Sequence, residues 1–195
     1  VYILSVDPGF SSVGWALGSI NTGGGIDYLG GGVIRTKKSS AKVLVCDDNA
    51  VRAREIVAGI MGVFETIGAH PSKLKAIVSE AQSWPRNASV SAKVGMCWGI
   101  MCTFSQVCEI PLVQVSPQNL KKSLTGRKSA SKQDVAEAVA DVWPKIQADA
   151  NMYPATQREH IYDAAAALIA SKQSPAINAM LSVARSEGGK FFGTN

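Results

Sequence analysis

Three short apolar runs fall within the first 34 residues, at 1–6, 13–17 and 26–34, and turn-forming residues bound them. Asp7-Pro8-Gly9 closes the first sharply, Gly23-Gly24-Gly25 separates the second from the third, and Gly30, Gly31 and Gly32 interrupt the third. Runs this short, bounded this closely, are strands rather than helices, and their spacing predicts an antiparallel meander.

Downstream the pattern changes. Residues 37–49 are polar and read as a loop, with Asp48 or Asn49 placed to cap a helix running to about Ile67, whose Ile56, Ile60, Val63, Phe64 and Ile67 recur on one face. Pro71-Ser72 punctuates, and residues 74–79 form a strand that ends at Glu80. A second helix is expected over 89–108, with Val90, Val94, Cys97, Met101, Phe104 and Cys108 as its apolar set. Ser91, Gly95, Gly99 and Thr103 put small residues at every fourth position, so another backbone can approach that face closely. A fifth strand covers 111–115, and a basic segment follows. Helices are expected over 131–143, stopped by Pro144, and over 157–171, limited by Pro175, before a frayed tail from Ser186. Neither repeats nor a linker break the chain, so residues 1–195 are expected to form one domain of α/β class, a mixed five-stranded sheet flanked by helices.

The 195 residues are 46% apolar and 18% charged, which excludes a disordered chain. No apolar stretch is long enough to span a membrane. The four cysteines, at 46, 97, 102 and 108, match neither a secreted disulfide scaffold nor a zinc spacing, and Met96, Cys97, Met101 and Cys102 are expected to fill core. With no signal peptide in view, a reducing cytoplasm is the expected compartment. The net charge of +5 is mild, but no acid lies between Glu109 and Asp134, where Lys121, Lys122, Arg127, Lys128 and Lys132 cluster. Such a patch suits a phosphate backbone, although a solvated loop has the same composition.

Asp7 ends the first strand and Glu80 the fourth, while His160 and Asp163 stand three apart on the last helix and share a face. Each has an ordinary reading: Asp7 as a turn residue, Glu80 paired with Arg86, the other two as exposed helix positions. Together they bring several acids to strand ends beside one helix, and divalent cations relieve that repulsion. Oxygen donors with a single nitrogen suit magnesium or manganese.

The run Asp7-Pro8-Gly9-Phe10-Ser11-Ser12-Val13-Gly14-Trp15-Ala16 resembles the opening of the RuvC family of Holliday junction resolvases, within the RNase H-like superfamily. Glu80 with Asn87 and Gly95, then Pro117 through Lys121 with Gly126, Ser129, Ala130 and Lys132, and finally His160-Ile161-Tyr162-Asp163-Ala164-Ala165, are similar to its later motifs in order. The resemblance implies an RNase H-like fold and a homodimeric, metal-dependent endonuclease making paired nicks across four-way DNA junctions. It places the metal ligands on Asp7, Glu80, His160 and Asp163, the histidine position being Asp in some members. It places basic active-site residues on Lys121 and Lys132, and the dimer contact on the helix carrying Ser91, Gly95 and Gly99. Ser83 stands where the family often has a base-stacking aromatic, with Trp84 beside it. The glycine-rich hairpin and the loop before the first helix are longer than in the family.

On this reading two Mg2+ ions (Mn2+ as a substitute) activate water and stabilise the leaving oxygen. Asp7 bridges the ions, Glu80 and Asp163 complete one shell, and His160 or Asp163 the other, with His160 also able to act as general base. Lys132 meets the scissile phosphate, and Lys121, Lys122, Arg127 and Lys128 hold the DNA. Trp84 is either a stacking residue or a core residue. The competing functions are a nuclease for flaps or forks, an actin-like ATP-binding fold and a non-catalytic junction-binding protein. The second lacks its further phosphate and adenosine motifs here, and the third needs no buried acids.

Overall fold

The computed structural model describes residues 1–66, 68, 71–81 and 86–186. The expected meander is present: β1 (Tyr2–Asp7), β2 (Ser12–Ile20) and β3 (Ile26–Arg35) pair antiparallel in sequence. β4 (Leu74–Glu80) adds parallel to β1, and β5 (Leu112–Val115) parallel to β4, giving a five-stranded mixed sheet of order β3-β2-β1-β4-β5.

Helices cover both faces. α1 (Val45–Thr66) and α2 (Ala88–Val107) pack on one; α3 (Pro117–Thr125), α4 (Lys132–Val142), α5 (Ile146–Asn151), α6 (Ala155–Ala170) and α7 (Pro175–Ser186) lie on the other. Strand alternation divides the core accordingly. Leu4 and Val6 of β1, with Ile77 of β4, face α1 and α2, whereas Ile3, Ala76 and Val78 face α6; a register irregularity at the start of β4 puts Leu74 on the α1 side too. Asp7 has the parity of Ile3, and Glu80 that of Val78, so both acids turn to the α6 side. α6 crosses β1 through β4 on a run of four alanines, Ala164 to Ala167, each almost fully buried. Such small side chains bring its backbone close to the sheet.

Several expectations are corrected. α1 begins at Val45, ahead of the expected cap; Asp48 lies in its first turn and accepts the Ser39 backbone N–H at 2.6 Å, securing the incoming segment instead of the helix end. Ile67 lies outside the described residues. The basic segment contains a helix, α3: Ser116 caps it by accepting from the Asn119 backbone, Pro117 opens it, and Gly126 at φ 74° closes it. α5 and α7 were not foreseen. Pro175, expected to limit a helix, opens α7, with Ser174 accepting the Ile177 N–H. Cys102, Cys108 and Val90 are exposed, while Cys97 and Met101 are buried as expected. Burial pushes the Cys97 thiol up to about 12. Gly188 and Gly189 of the tail lie outside the described residues. Among the described residues, no helix is long and apolar enough to cross a membrane.

Candidate active site

The strand register sets the site's floor. Val6 of β1 lies opposite Ser79 of β4 in a parallel pair, so Asp7 and Glu80, one residue on, sit side by side at the C-terminal ends of the two strands. On its other side Asp7 pairs with Gly14 of β2. α6 passes directly over Gly14: a Cβ there would sit 2.0 Å from the His160 carbonyl oxygen. The missing side chain lets His160 descend to Asp7, where its Nδ1 donates to Asp7 Oδ2 at 2.7 Å. A carboxylate can only accept, so Nδ1 carries the proton and Nε2 is the remaining nitrogen.

Asp7, Glu80, His160 and Asp163 line one cleft of about 430 Å³, with Pro8, Trp98, Pro117, Lys121 and Lys132 on its walls. Six of the residues expected from the sequence are thus together. Lys122, Arg127 and Lys128 are exposed nearby but do not line the cleft, and Arg127 pairs with Asp134 at 3.4 Å. Trp84 and Ser83 lie outside the described residues.

The electrostatics are those of crowded, half-buried acids. Glu80 is pushed above the usual carboxylate range by burial and then by its neighbours Asp7 and Asp163. Asp163 is raised by burial and then by Asp7. His160 is raised chiefly by its bond to Asp7. Lys132 reaches in from the first turn of α4, its Nζ 3.0 Å from Glu159 and 3.3 Å from Asp163. Burial works against its charge, but bonds to these acids outweigh that and raise it. Glu159 is lowered by the same lysine.

The donor set suits a hard divalent cation: three carboxylates and one imidazole, with two of the carboxyl groups raised first by burial and then by the nearby Asp7 charge, a repulsion that a cation would relieve. Among the described residues, however, no three His, Cys, Asp or Glu side chains converge on one point closely enough to grip an ion as they stand. The Asp7–His160 hydrogen bond and the Lys132–Asp163 pair occupy ligand atoms that an ion would claim. The residues fit the group by donor chemistry and by their place around one cleft.

Two features of the cleft were not picked out from the sequence. Glu159 shares Lys132 with Asp163, and its place one turn before Asp163 was the available signal. Trp98 is a buried wall residue whose indole N–H has no partner among the described residues; nothing in the pattern of α2 distinguishes it from core.

A sequence model of the family described as "Crossover junction endodeoxyribonuclease RuvC" matches residues 3–170. The chain belongs to the RuvC family. It is 29% identical over 175 residues to the RuvC of Actinobacillus pleuropneumoniae serotype 5b, covering 88% of this chain and 84% of that one. With the RuvC of Pseudothermotoga lettingae it shares 28% over 137 residues, 70% of this chain and 76% of the other. In fold it resembles Thermus thermophilus RuvC in complex with a Holliday junction substrate, at TM-score 0.66 and 20% identity, over 91% of this chain and 96% of that one. That likeness identifies the RNase H-like architecture expected from the RuvC resemblance.

Proposed function

We propose that this chain resolves four-way DNA junctions as a crossover junction endodeoxyribonuclease, cutting by metal-dependent phosphodiester hydrolysis in the cytoplasm. The observation that carries this is the meeting of Asp7, Glu80, His160 and Asp163 with Lys121 and Lys132 in one cleft. Buried acids alone would not recruit DNA, and lysines alone would not hydrolyse it. Two magnesium ions per site, with manganese able to replace them, would supply activation of water and stabilisation of the leaving oxygen. The ligands are Asp7, Glu80, His160 and Asp163. With Nδ1 committed to Asp7, His160 has Nε2 for ligation or for taking a proton from water. Lys132 exchanges its partners Glu159 and Asp163 for the scissile phosphate, and Lys121 holds the flanking backbone. Lys122, Arg127 and Lys128 extend the contact along the DNA, and Trp84 stacks on bases at the crossover.

Paired symmetric nicks need two sites related by a twofold axis, and the chain, acting as a single nuclease domain, would supply them as a homodimer. Support comes from the bare face of α2. Among the described residues, and apart from the adjacent backbone of α2 itself, nothing lies within 4 Å of where a Cβ would stand at Gly95 or Gly99. An apolar groove of about 520 Å³ runs there between α2 and Ala53 and Val57 of α1.

The test is cleavage of an immobile synthetic four-way junction in magnesium, against calcium and EDTA, with flap and fork substrates alongside. Symmetric nicks on the junction in magnesium alone are expected. Preference for flaps or forks would transfer the activity to other branched DNA, and no cleavage in magnesium or manganese would overturn the reading.

A further inference from the structure

Arg52 of α1 is 5% exposed, and with Asp48 it is one of two charged residues classed as buried among the described residues. Neither lines the cleft, so the site described above does not account for them. A buried guanidinium is costly unless its donors are used. Here they converge on one short segment. Nη2 donates to the Phe10 carbonyl at 3.2 Å and to Ser11 Oγ at 2.7 Å, and Nε donates to Thr36 Oγ1 at 2.8 Å. The guanidinium also lies over the Phe10 ring, 4.6 Å from its centroid. Thr36 Oγ1 passes its own hydrogen to the same Phe10 carbonyl at 2.7 Å, and the Thr36 N–H reaches the Ser11 carbonyl. Asp48 completes the set, 3.7 Å from Nη1 and anchored to the Ser39 N–H.

Phe10 and Ser11 are the far half of the turn that begins at Asp7, and Asp7 and Pro8 form part of the cleft. The turn is therefore gripped from the sheet face opposite the one on which Asp7 meets His160. We infer that Arg52 is a positioning residue for cleavage: its planar fork fixes the turn after Asp7 and so holds that carboxylate where the ligand set needs it. The assignment rests on the nuclease reading and deepens it. The guanidinium geometry matters, because a lysine keeps the charge but puts its donors on one nitrogen at the end of a flexible stem, and loses the rigid fork whose Nε meets Thr36 while Nη2 meets Phe10 and Ser11.

The test compares Arg52→Lys with Ile60→Val, a mild core change on the same helix. Four quantities are read: thermal midpoint, junction affinity in calcium, single-turnover cleavage at saturating junction, and amide exchange of the segment 8–12 without metal. Arg52→Lys is expected to bind the junction within twofold of wild type, to cut about tenfold or more slowly, and to exchange faster at 8–12 than elsewhere. Ile60→Val should lower the midpoint and leave the saturated rate unchanged. Wild-type rate and exchange in Arg52→Lys would overturn the assignment. So would exchange that rises uniformly, or a rate that follows the midpoint in both variants, since each marks a purely structural role. If the wild-type protein cuts no junction, the nuclease reading fails, while exchange at 8–12 still decides whether Arg52 holds the turn.

Discussion

Gly14 and His160 are in backbone contact across the sheet–helix interface: a Cβ on Gly14 would lie 2.0 Å from the His160 carbonyl oxygen and 2.5 Å from its carbonyl carbon. Gly14 is also the pairing partner of Asp7. One missing side chain therefore sets the depth at which α6 lies and the reach of His160 to Asp7. Gly14→Ala should lift this end of α6, cost about 1–3 kcal/mol of stability, and lower cleavage far more than junction affinity. Single-turnover kinetics beside thermal melting check this; wild-type cutting by the alanine variant would show that α6 has room to spare.

Asp7→Asn and His160→Ala remove proposed ligands without touching the lysines. Each should lower the cleavage rate by about two powers of ten or more and leave binding in calcium nearly intact. His160→Asp should retain measurable magnesium-dependent cutting, because it returns an oxygen donor to the same face of α6. Full activity in His160→Ala would make the histidine a support for Asp7 and nothing more.

The lysines should separate by role. Lys132→Ala is expected to slow saturated cleavage more than it weakens affinity, since its ammonium stands between Glu159 and Asp163 at the cleft. Lys121→Ala with Lys122→Ala should mainly weaken affinity and flatten the salt dependence of log K by about 0.9 per lost phosphate contact. A Lys132 variant that binds tenfold more weakly yet cuts at the wild-type rate when saturated would reverse these assignments.

Assembly is open to direct measurement. Light scattering at micromolar concentration with junction bound should give a dimer, and Gly95→Leu, which fills the open face of α2, should shift it toward monomer. A wild-type monomer under those conditions would remove the twofold arrangement.

Acid stability should report on Asp48. The Ser39 backbone N–H, ahead of the smaller effect of Arg52, holds its carboxyl below the usual range. A folded-state pKa below the unfolded value of about 3.9 contributes stability that is present above the unfolded pKa. That contribution is lost as pH falls through the lower, folded value. The midpoint difference between wild type and Asp48→Asn should therefore be constant from neutral pH to about pH 5 and shrink below about pH 4. A difference that persists unchanged at pH 3 would show that Asp48 acts by shape alone.

The strands were readable because each is short, apolar and closed by Gly, Pro or Asp, and Asp7 and Glu80 could be placed at strand ends for the same reason. His160 and Asp163 were readable as a pair because helical spacing puts them on one face. Much of what the chain hides is pairing over distance. Asp48 looks like a helix cap until Ser39 is seen to claim it. Arg52 looks like a solvated helix residue until the Phe10 turn folds against it. α3 is a different case: Ser116, Pro117 and Gly126 are sound boundary signals, but the Lys121-Lys122 pair between them, read with the basic residues beyond, masked the helix.

The proposed ligands come from the first strand, the fourth strand and a helix that starts at Ala155. Contacts between such distant parts of a chain form only after long loops have closed. During synthesis, the segment carrying His160 and Asp163 emerges after every strand has been made. On the proposed assignment, a partly made or truncated copy would carry the lysines of α3 without the full acid set, and so would lack the means to cut. With the proposed ligands so distributed along the chain, nicking activity would appear only as the fold nears completion.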